Sequence, residues 1–315
     1  GTTGALRYAE KYNIPLVVAV NQLDGDKADW EKTEAELKEE LGRKMVIVQF
    51  PTSTGAGFDG FVDVLTNRYY HFKDNNGTRE DLDIPAEFAD QAELLRQELI
   101  EKAAEFDDTL MEKFFEVGTL TEDEIRAGLS VGIANREVYP VFCASAKKDI
   151  GVKRLLEFTK NVSVAPKCDE TAPAALFIYK NTMEQHLGEV SYFKVMSGVV
   201  TPGVDFEDTV SGNKERFSAI YAVAGSKKEP VQSLRAGDLG CVVKLKNGKA
   251  NTTLTVPGSG LDYPKIVFPA PKYRCAIKAK VQQDEQKLGD ALKKISAQDP
   301  TVVVEYSKEL RQTIH

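Results

Sequence analysis

The chain reads as a multidomain protein of mixed class, α/β first, then antiparallel β, then a partial βαβ unit. Three observations carry that reading. Two apolar runs with the texture of buried parallel strands, residues 14–20 and 138–142, each lead into a short polar segment. Helical patterns between them form an α/β insertion over about residues 30–135. After about residue 170 the pattern changes to short alternating stretches broken by glycine turns, as in a small antiparallel barrel.

Taken in order, residues 6–12 form an amphipathic opening segment, and residues 29–41 a helix with Trp30, Leu37 and Leu41 on one stripe and Gly42 as its stop. Trp30 reads as packing. Residues 45–50 and 61–72 read as strands, the second closed by an Asn75-Asn76-Gly77 turn. A long helix is expected over 85–117, where Phe88, Ala92, Leu95, Leu99, Ala103, Phe106, Leu110 and Phe114 recur at helical spacing before Gly118. Thr121-Glu122-Asp123-Glu124 is a capping box opening the next helix, and a closing helix spans 151–161.

The texture changes near Ala165-Pro166 and Thr171-Ala172-Pro173. Glycine turns follow at Gly188, Ser197-Gly198, Pro202-Gly203, Ser211-Gly212, Gly237 and Asn247-Gly248. A proline-marked linker over 263–271 leads to a strand at 274–281, a helix at 284–297 stopped by Asp299-Pro300, and a strand at 301–306. The expected domains are 1–170, 171–263 and 272–315.

Composition sets outer bounds. At 315 residues and 42% hydrophobic content the chain holds soluble globular material for two or three domains. No apolar run approaches the ~20 residues of a membrane helix, and the start does not resemble a signal peptide. The net charge of −7 is uneven: residues 1–173 carry 21 Lys and Arg against 33 Asp and Glu, and residues 174–315 carry 20 against 15. An acidic first part joined to a mildly basic second part is compatible with a protein that presents its second part to phosphate. Cys143, Cys168, Cys241 and Cys275 have no C-x-x-C spacing and read as reduced thiols, and His71, His186 and His315 are too scattered for a metal site or a triad.

The chemistry sits in the two polar segments, Asn21-Gln22-Leu23-Asp24 and Cys143-Ala144-Ser145-Ala146-Lys147. Ligands of open α/β sheets bind beyond the carboxyl ends of the strands. Together the two segments resemble the guanine-reading half of a GTPase, in which an Asp carboxylate at this place accepts two hydrogen bonds from guanine, at N1–H and the exocyclic amine. Adenine offers neither donor, and the unpaired carboxylate costs on the order of 1–3 kcal/mol or more. A backbone N–H of the Ser145-Ala146-Lys147 turn would meet guanine O6, while Asn21 would tie the two loops together. No G-x-x-x-x-G-K-[ST] occurs in the 315 residues, and the glycine stretch at 54–60 lacks the following Lys-Ser/Thr, so it reads as a loop. The chain opens with Gly1 inside the amphipathic segment and closes in a strand-like run, which reads as a piece of a longer protein.

In this order, the segments resemble translational GTPases of the elongation factor G type, over nearly the whole chain. Besides the two loops, the resemblance rests on Phe61-Val62-Asp63-Val64, Asp83-Ile84-Pro85-Ala86, Gly188-Glu189-Val190, Lys194-Val195-Met196-Ser197-Gly198 and Arg235-Ala236-Gly237-Asp238. Phe268-Pro269-Ala270-Pro271, Gln286-Lys287-Leu288-Gly289 and Gln298-Asp299-Pro300-Thr301 continue it. The resemblance implies the end of a P-loop-type GTPase domain with its α/β insertion, then a translation-factor β-barrel, then the start of a ferredoxin-like third domain. It also implies GTP or GDP as ligand, Mg²⁺ held by residues outside this chain, and a cytoplasmic, ribosome-bound protein acting in translocation or recycling. The barrel would touch small-subunit RNA, and the insertion the stalk protein of the large subunit. The nucleotide contacts carried over are Asn21, Gln22, Asp24, Ser145, Ala146 and Lys147, with no catalytic group. Gln22 departs from the family's Asn-Lys-x-Asp, where the lysine stem covers the base. A degenerate or ribosomal-protection paralogue with little GTP dependence, or a non-enzymatic RNA- or protein-binding module, are the alternatives.

Overall fold

The computed structural model describes residues 1–164, 167–245, 248–307 and 312–314. The expectations placed on Ala165-Pro166, Asn247 and His315 lie outside these residues. The chain divides into two compact units, Gly1–Ala165 and Pro166–His315.

The first unit begins with α1 (Thr2–Lys11), β1 (Val18–Val20) and α2 (Trp30–Leu41). Asp29 starts α2 from an extended backbone, its carboxylate accepting the Lys32 N–H at 3.0 Å, and Gly42 ends it at φ +56°. Trp30 is buried in the unit's core, as its place on the apolar stripe requires. The next strands are β2 (Met45–Ile47) and β3 (Gln49–Pro51), followed by β4 (Gly60–Asp63), β5 (Arg68–Phe72) and β6 (Arg79–Leu82). Three helices follow, α3 (Ala89–Ala104), α4 (Asp108–Val117) and α5 (Glu122–Ala134). Strand β7 (Tyr139–Cys143) and α6 (Val152–Val162) complete the unit.

Two sheets result. One is parallel in the order β1-β7-β2, with Val18 opposite Val141 and Met45 opposite Tyr139. The other is antiparallel in the order β3-β4-β5-β6. The expected strand over 45–50 is therefore two strands in different sheets. Val48 is the switch: its N–H donates to Val141 O at 3.0 Å, and its carbonyl accepts from Val64 N at 2.9 Å. Through β2, the segment 30–135 shares the parallel sheet and one continuous core with the loops it interrupts.

The expected strand over 61–72 is a hairpin. The Asp63 carboxylate accepts both the N–H and the hydroxyl of Thr66 at 3.1 Å, and Asn67 turns at φ +54°. The expected helix over 85–117 is likewise divided. Asp107 takes an extended conformation and accepts from Thr109 N and Leu110 N, capping α4 afresh. The capping box at Thr121 and Glu124 is present, and Gly118 ends α4 in the left-handed region.

One buried ionic network pins the two sheets and α6 together. Arg154 of α6 is 2% exposed and Asp63 of β4 is wholly buried. Arg154 Nε donates to Asp63 Oδ2 at 2.8 Å, and Gln49 Nε2 of β3 donates to the same oxygen at 2.8 Å. Gln49 Oε1 in turn accepts the Cys143 N–H of β7 at 3.1 Å. Burial works against the Arg154 charge, but Asp63 outweighs it and the guanidinium is held more firmly protonated than usual.

The second unit is an eight-stranded antiparallel sheet with a two-stranded ribbon. Its long strands are β8 (Ala175–Glu184) and β9 (Gly188–Ser197), followed by β10 (Val199–Val200), β11 (Asp205–Asp208) and β12 (Lys214–Arg216). Next come β13 (Ile220–Ala224), β14 (Lys227–Val231), β15 (Leu234–Arg235), β16 (Leu239–Val243) and β17 (Thr252–Thr255). The sheet order is β12-β11-β17-β8-β9-β16-β13-β14, and β10 pairs with β15. Along β9, Ser191, Phe193, Val195 and Ser197 are buried while Tyr192, Lys194 and Met196 are more open, a period of two that buries one face. The inner faces form a core around Leu176, Ile178, Phe193, Phe206, Phe217 and Leu254, in which the Phe206 and Phe217 rings stack at 4.9 Å.

The last piece is β18 (Ala276–Ile277), α7 (Glu285–Gln298), β19 (Glu305–Ser307) and β20 (Gln312–Ile314). Strand β20 lies between β18 and β19 and is antiparallel to both, which makes a split βαβ unit. The expected strand over 274–281 shrinks to two residues, and the expected 301–306 strand starts at Glu305.

Candidate guanine-reading site

Strands β1 and β7 run parallel and adjacent, with Val20 opposite Cys143, so their polar segments leave the same sheet end side by side. Ala144 N–H donates to Val20 O at 2.9 Å, and Leu23 N–H to Ala144 O at 3.4 Å. The tie expected of Asn21 is present: its Oδ1 accepts the Ala146 N–H at 2.9 Å. Leu23 is buried between the exposed Gln22 and the half-buried Asp24, anchoring the loop from below.

The second loop is closed on itself by hydrogen bonds. Ser145 is buried and exchanges both backbone hydrogen bonds with Ile150, each at 3.0 Å. The Lys148 N–H is offered to both the carbonyl and the hydroxyl of Ser145. Gly151 then turns into α6 at φ +79°, where a Cβ would lie 2.3 Å from Cys143 O. A side chain at that position meets both steric and conformational strain.

Asn21, Gln22, Asp24, Gly25, Ala146 and Lys147 line one open pocket of about 410 Å³. Ser145 lies beneath it. Its hydroxyl holds the Asp24 carboxyl below the ordinary aspartate range; desolvation opposes this, while Lys148 and Lys147 add to it. Asp24 is therefore an anionic acceptor at neutral pH. Ala146 N–H is taken by Asn21 and Lys148 N–H by Ser145, whereas the Lys147 N–H has no acceptor among the described residues. Asp24 and Lys147 both line the pocket, one as an acceptor-only carboxylate and the other with a backbone N–H that has no acceptor among the described residues. Gln22 adopts φ +65°, unusual for a side-chain-bearing residue, at the pocket's lip.

All six expected residues are thus in one place, with Ser145 as support. Sequence reasoning missed Gly25, a wall of the pocket, and Lys148. The only signal for either was its position next to a quoted motif. The glycine stretch at 54–60 forms a short turn, Gly55–Gly57, whose Gly55 N–H donates to Leu23 O at 2.8 Å. Among the described residues no group of three or more His, Cys, Asp or Glu side chains is placed to hold a metal ion, and no helix is long and apolar enough to cross a membrane.

The comparisons with known proteins agree with this architecture piece by piece. Residues 1–167 match the elongation factor Tu GTP binding domain, residues 173–257 elongation factor G domain 2, and residues 268–315 elongation factor G domain III. With the first match covering more than half of it, the chain belongs to the translational GTPases, of the elongation factor G type. Its fold matches the crystal structure of a protein from Thermus thermophilus over 98% of this chain, with a TM-score of 0.84 and 25% identity. The match covers 46% of that protein, so the chain spans about half its length.

Proposed function

We propose that the pocket between residues 21–25 and 144–148 reads the guanine base of GTP or GDP. Asp24 pairs with N1–H and the exocyclic amine, and the Lys147 N–H with O6. The observation that carries this reading is the Asn21–Ala146 hydrogen bond, which holds the two loops in register around Asp24. Asn21, Ala146 and Ser145 then act as positioning groups, and Gln22 covers one face of the base with a stem shorter than lysine's. When bound, the triphosphate and its Mg²⁺ supply the hydrolysable bond and its charge neutralisation. We assign their cradle to residues outside this chain, whose sequence has no G-x-x-x-x-G-K-[ST].

The reading extends to a cytoplasmic factor acting on the ribosome in translocation or recycling. The positively balanced second unit would face small-subunit RNA, and the insertion the large-subunit stalk protein. Base contacts alone must offset the association entropy, so GDP should bind this chain at about millimolar Kd, near −4 kcal/mol. Titration of the ¹⁵N-labelled chain with GDP and ADP tests this. The expected result is saturable shifts at Asp24, Ala146 and Lys147 with GDP and none with ADP; equal shifts with both would overturn base reading. Pelleting with small ribosomal subunits across a salt series tests the partner, with a log–log slope of roughly −0.7 to −0.9 per phosphate contacted. Salt-insensitive binding would contradict an RNA-facing second unit.

A further inference from the structure

Lys148 follows the motif Ser145-Ala146-Lys147, and besides the effect of its charge on Asp24 its side chain reaches a second element. Its Nζ donates to Ala56 O at 3.3 Å and lies 3.5 Å from Phe58 O, both on the turn between β3 and β4. That same turn holds the other base-reading loop, because Gly55 N–H donates to Leu23 O at 2.8 Å. The turn is itself well fixed: Phe58 is buried in the core, Phe58 N–H donates to Gly55 O at 2.9 Å, and the Ser53 hydroxyl to Gly57 O at 2.8 Å. A second element of the antiparallel sheet presses on the far side of the 145–151 loop. The β5–β6 turn brings Gly77, at φ +72°, so close to Asp149 that a Cβ there would lie 2.6 Å from its carboxylate.

We infer that Lys148 is a positioning residue of the guanine site: it fastens the Ser145–Ile150 loop to the turn Gly55–Gly57, which in turn fastens Leu23. The insertion thereby closes a ring with the Asn21–Ala146 bond, and the spacing of Asp24 from the Lys147 N–H is set by the antiparallel sheet as well as by β1 and β7. Whatever deforms that sheet changes how well the base is held. The task needs a cation with several donors that can serve two carbonyls, which a lysine ammonium supplies here and a guanidinium can also supply. The inference rests on the guanine-reading proposal for its consequence, but the ring itself has an independent readout.

The test is hydrogen exchange on the full chain, wild type against Lys148→Met and Lys148→Arg, with GDP and ADP titrations alongside. Methionine keeps the length and loses the donors. The expected result is exchange about tenfold faster at the Gly55 and Ala146 amides in Lys148→Met, with the thermal midpoint nearly unchanged. Lys148→Arg restores protection. A severalfold weaker GDP shift in Lys148→Met should accompany it. Unchanged exchange at both amides would overturn the ring and the role of Lys148. Faster exchange with GDP affinity unchanged would overturn the positioning role alone. A wild-type chain that does not distinguish GDP from ADP overturns the base reading instead, whatever the exchange shows.

Discussion

The two units bury polar groups to opposite ends. In the first, a charged pair, Arg154 and Asp63, lies at the centre, roofed by Gln49 and joined to β7 through Cys143 N–H. In the second, the core cluster is aliphatic and aromatic, with neutral buried groups such as Asn181 and Ser191 hydrogen-bonded beside it, and the Arg216–Asp205 ion pair is exposed. The difference follows from the number of elements to be aligned. The eight-stranded sheet of the second unit has its register set strand by strand, largely by apolar alternation, with neutral polar groups such as Asn181 and Ser191 tied to each other and to Gly248 O. The first unit must hold a parallel sheet, an antiparallel sheet and α6 in one arrangement; Asp63 takes its cation from α6, and Gln49 links that pair to the parallel sheet through Cys143 N–H. We regard the network as a device of register, with its stability contribution secondary.

The largest effect should come from breaking that network. Arg154→Met leaves Asp63 buried and short of its cation, and should cost about 3–5 kcal/mol in the first unit. The lone Trp30 lies in that unit's core, so its fluorescence during urea unfolding reports the loss directly. Adding Asp63→Leu to Arg154→Met should recover much of it. Phe193→Ala in the second unit should cost a similar ~3–5 kcal/mol by opening a cavity, while leaving the Trp30 transition in place. A shared shift in both variants would mean that the units do not unfold independently.

A smaller effect concerns the capping box. Lys113 first, then the Thr121 N–H and hydroxyl, pull the Glu124 pKa from 4.5 down to about 2. A depressed folded value means that its stabilising share is complete above the ordinary value and is lost as pH falls from about 4.5 towards about 2. Glu124→Gln should flatten the acid limb of the stability curve in that window. Thr121→Ala should cost about 1 kcal/mol in thermal unfolding at neutral pH. Of similar size, Gln22→Lys should tighten GDP by ~1 kcal/mol in the same titration as above, through a longer stem over the base.

Much of this arrangement was legible beforehand because local chemistry announces it. Strand, polar loop and helix stop can be read at Asp29, Gly118, Thr121 and Gly151, where one residue serves one backbone need. The misses share a cause. The hairpin at residues 63–67 depends on Asp63 capping Thr66 while buried against Arg154, a partner 91 residues away. The break at Asp107 lies inside an apolar stripe that continues in phase across it, so periodicity gave no warning. Val48 changes sheets because Val141 and Val64 reach it from opposite sides, a long-range fact. At the candidate site, the two motif loops and the Asn21 tie between them can be read from the sequence, whereas the contacts of Lys148 and Gly55 cannot. Lys148 and Gly55 act on carbonyls and amides of loops distant in sequence.

If Asp24 reads the base, exchanging its carboxylate for an amide must exchange the preferred base. The chain and its Asp24→Asn variant should be titrated with GDP and XDP under identical conditions. An amide can donate where the carboxylate only accepts, and xanthine presents a carbonyl where guanine has its amine. The account predicts that the wild type prefers GDP and that Asp24→Asn reverses the preference to XDP. A variant that keeps the wild-type preference for GDP would contradict it.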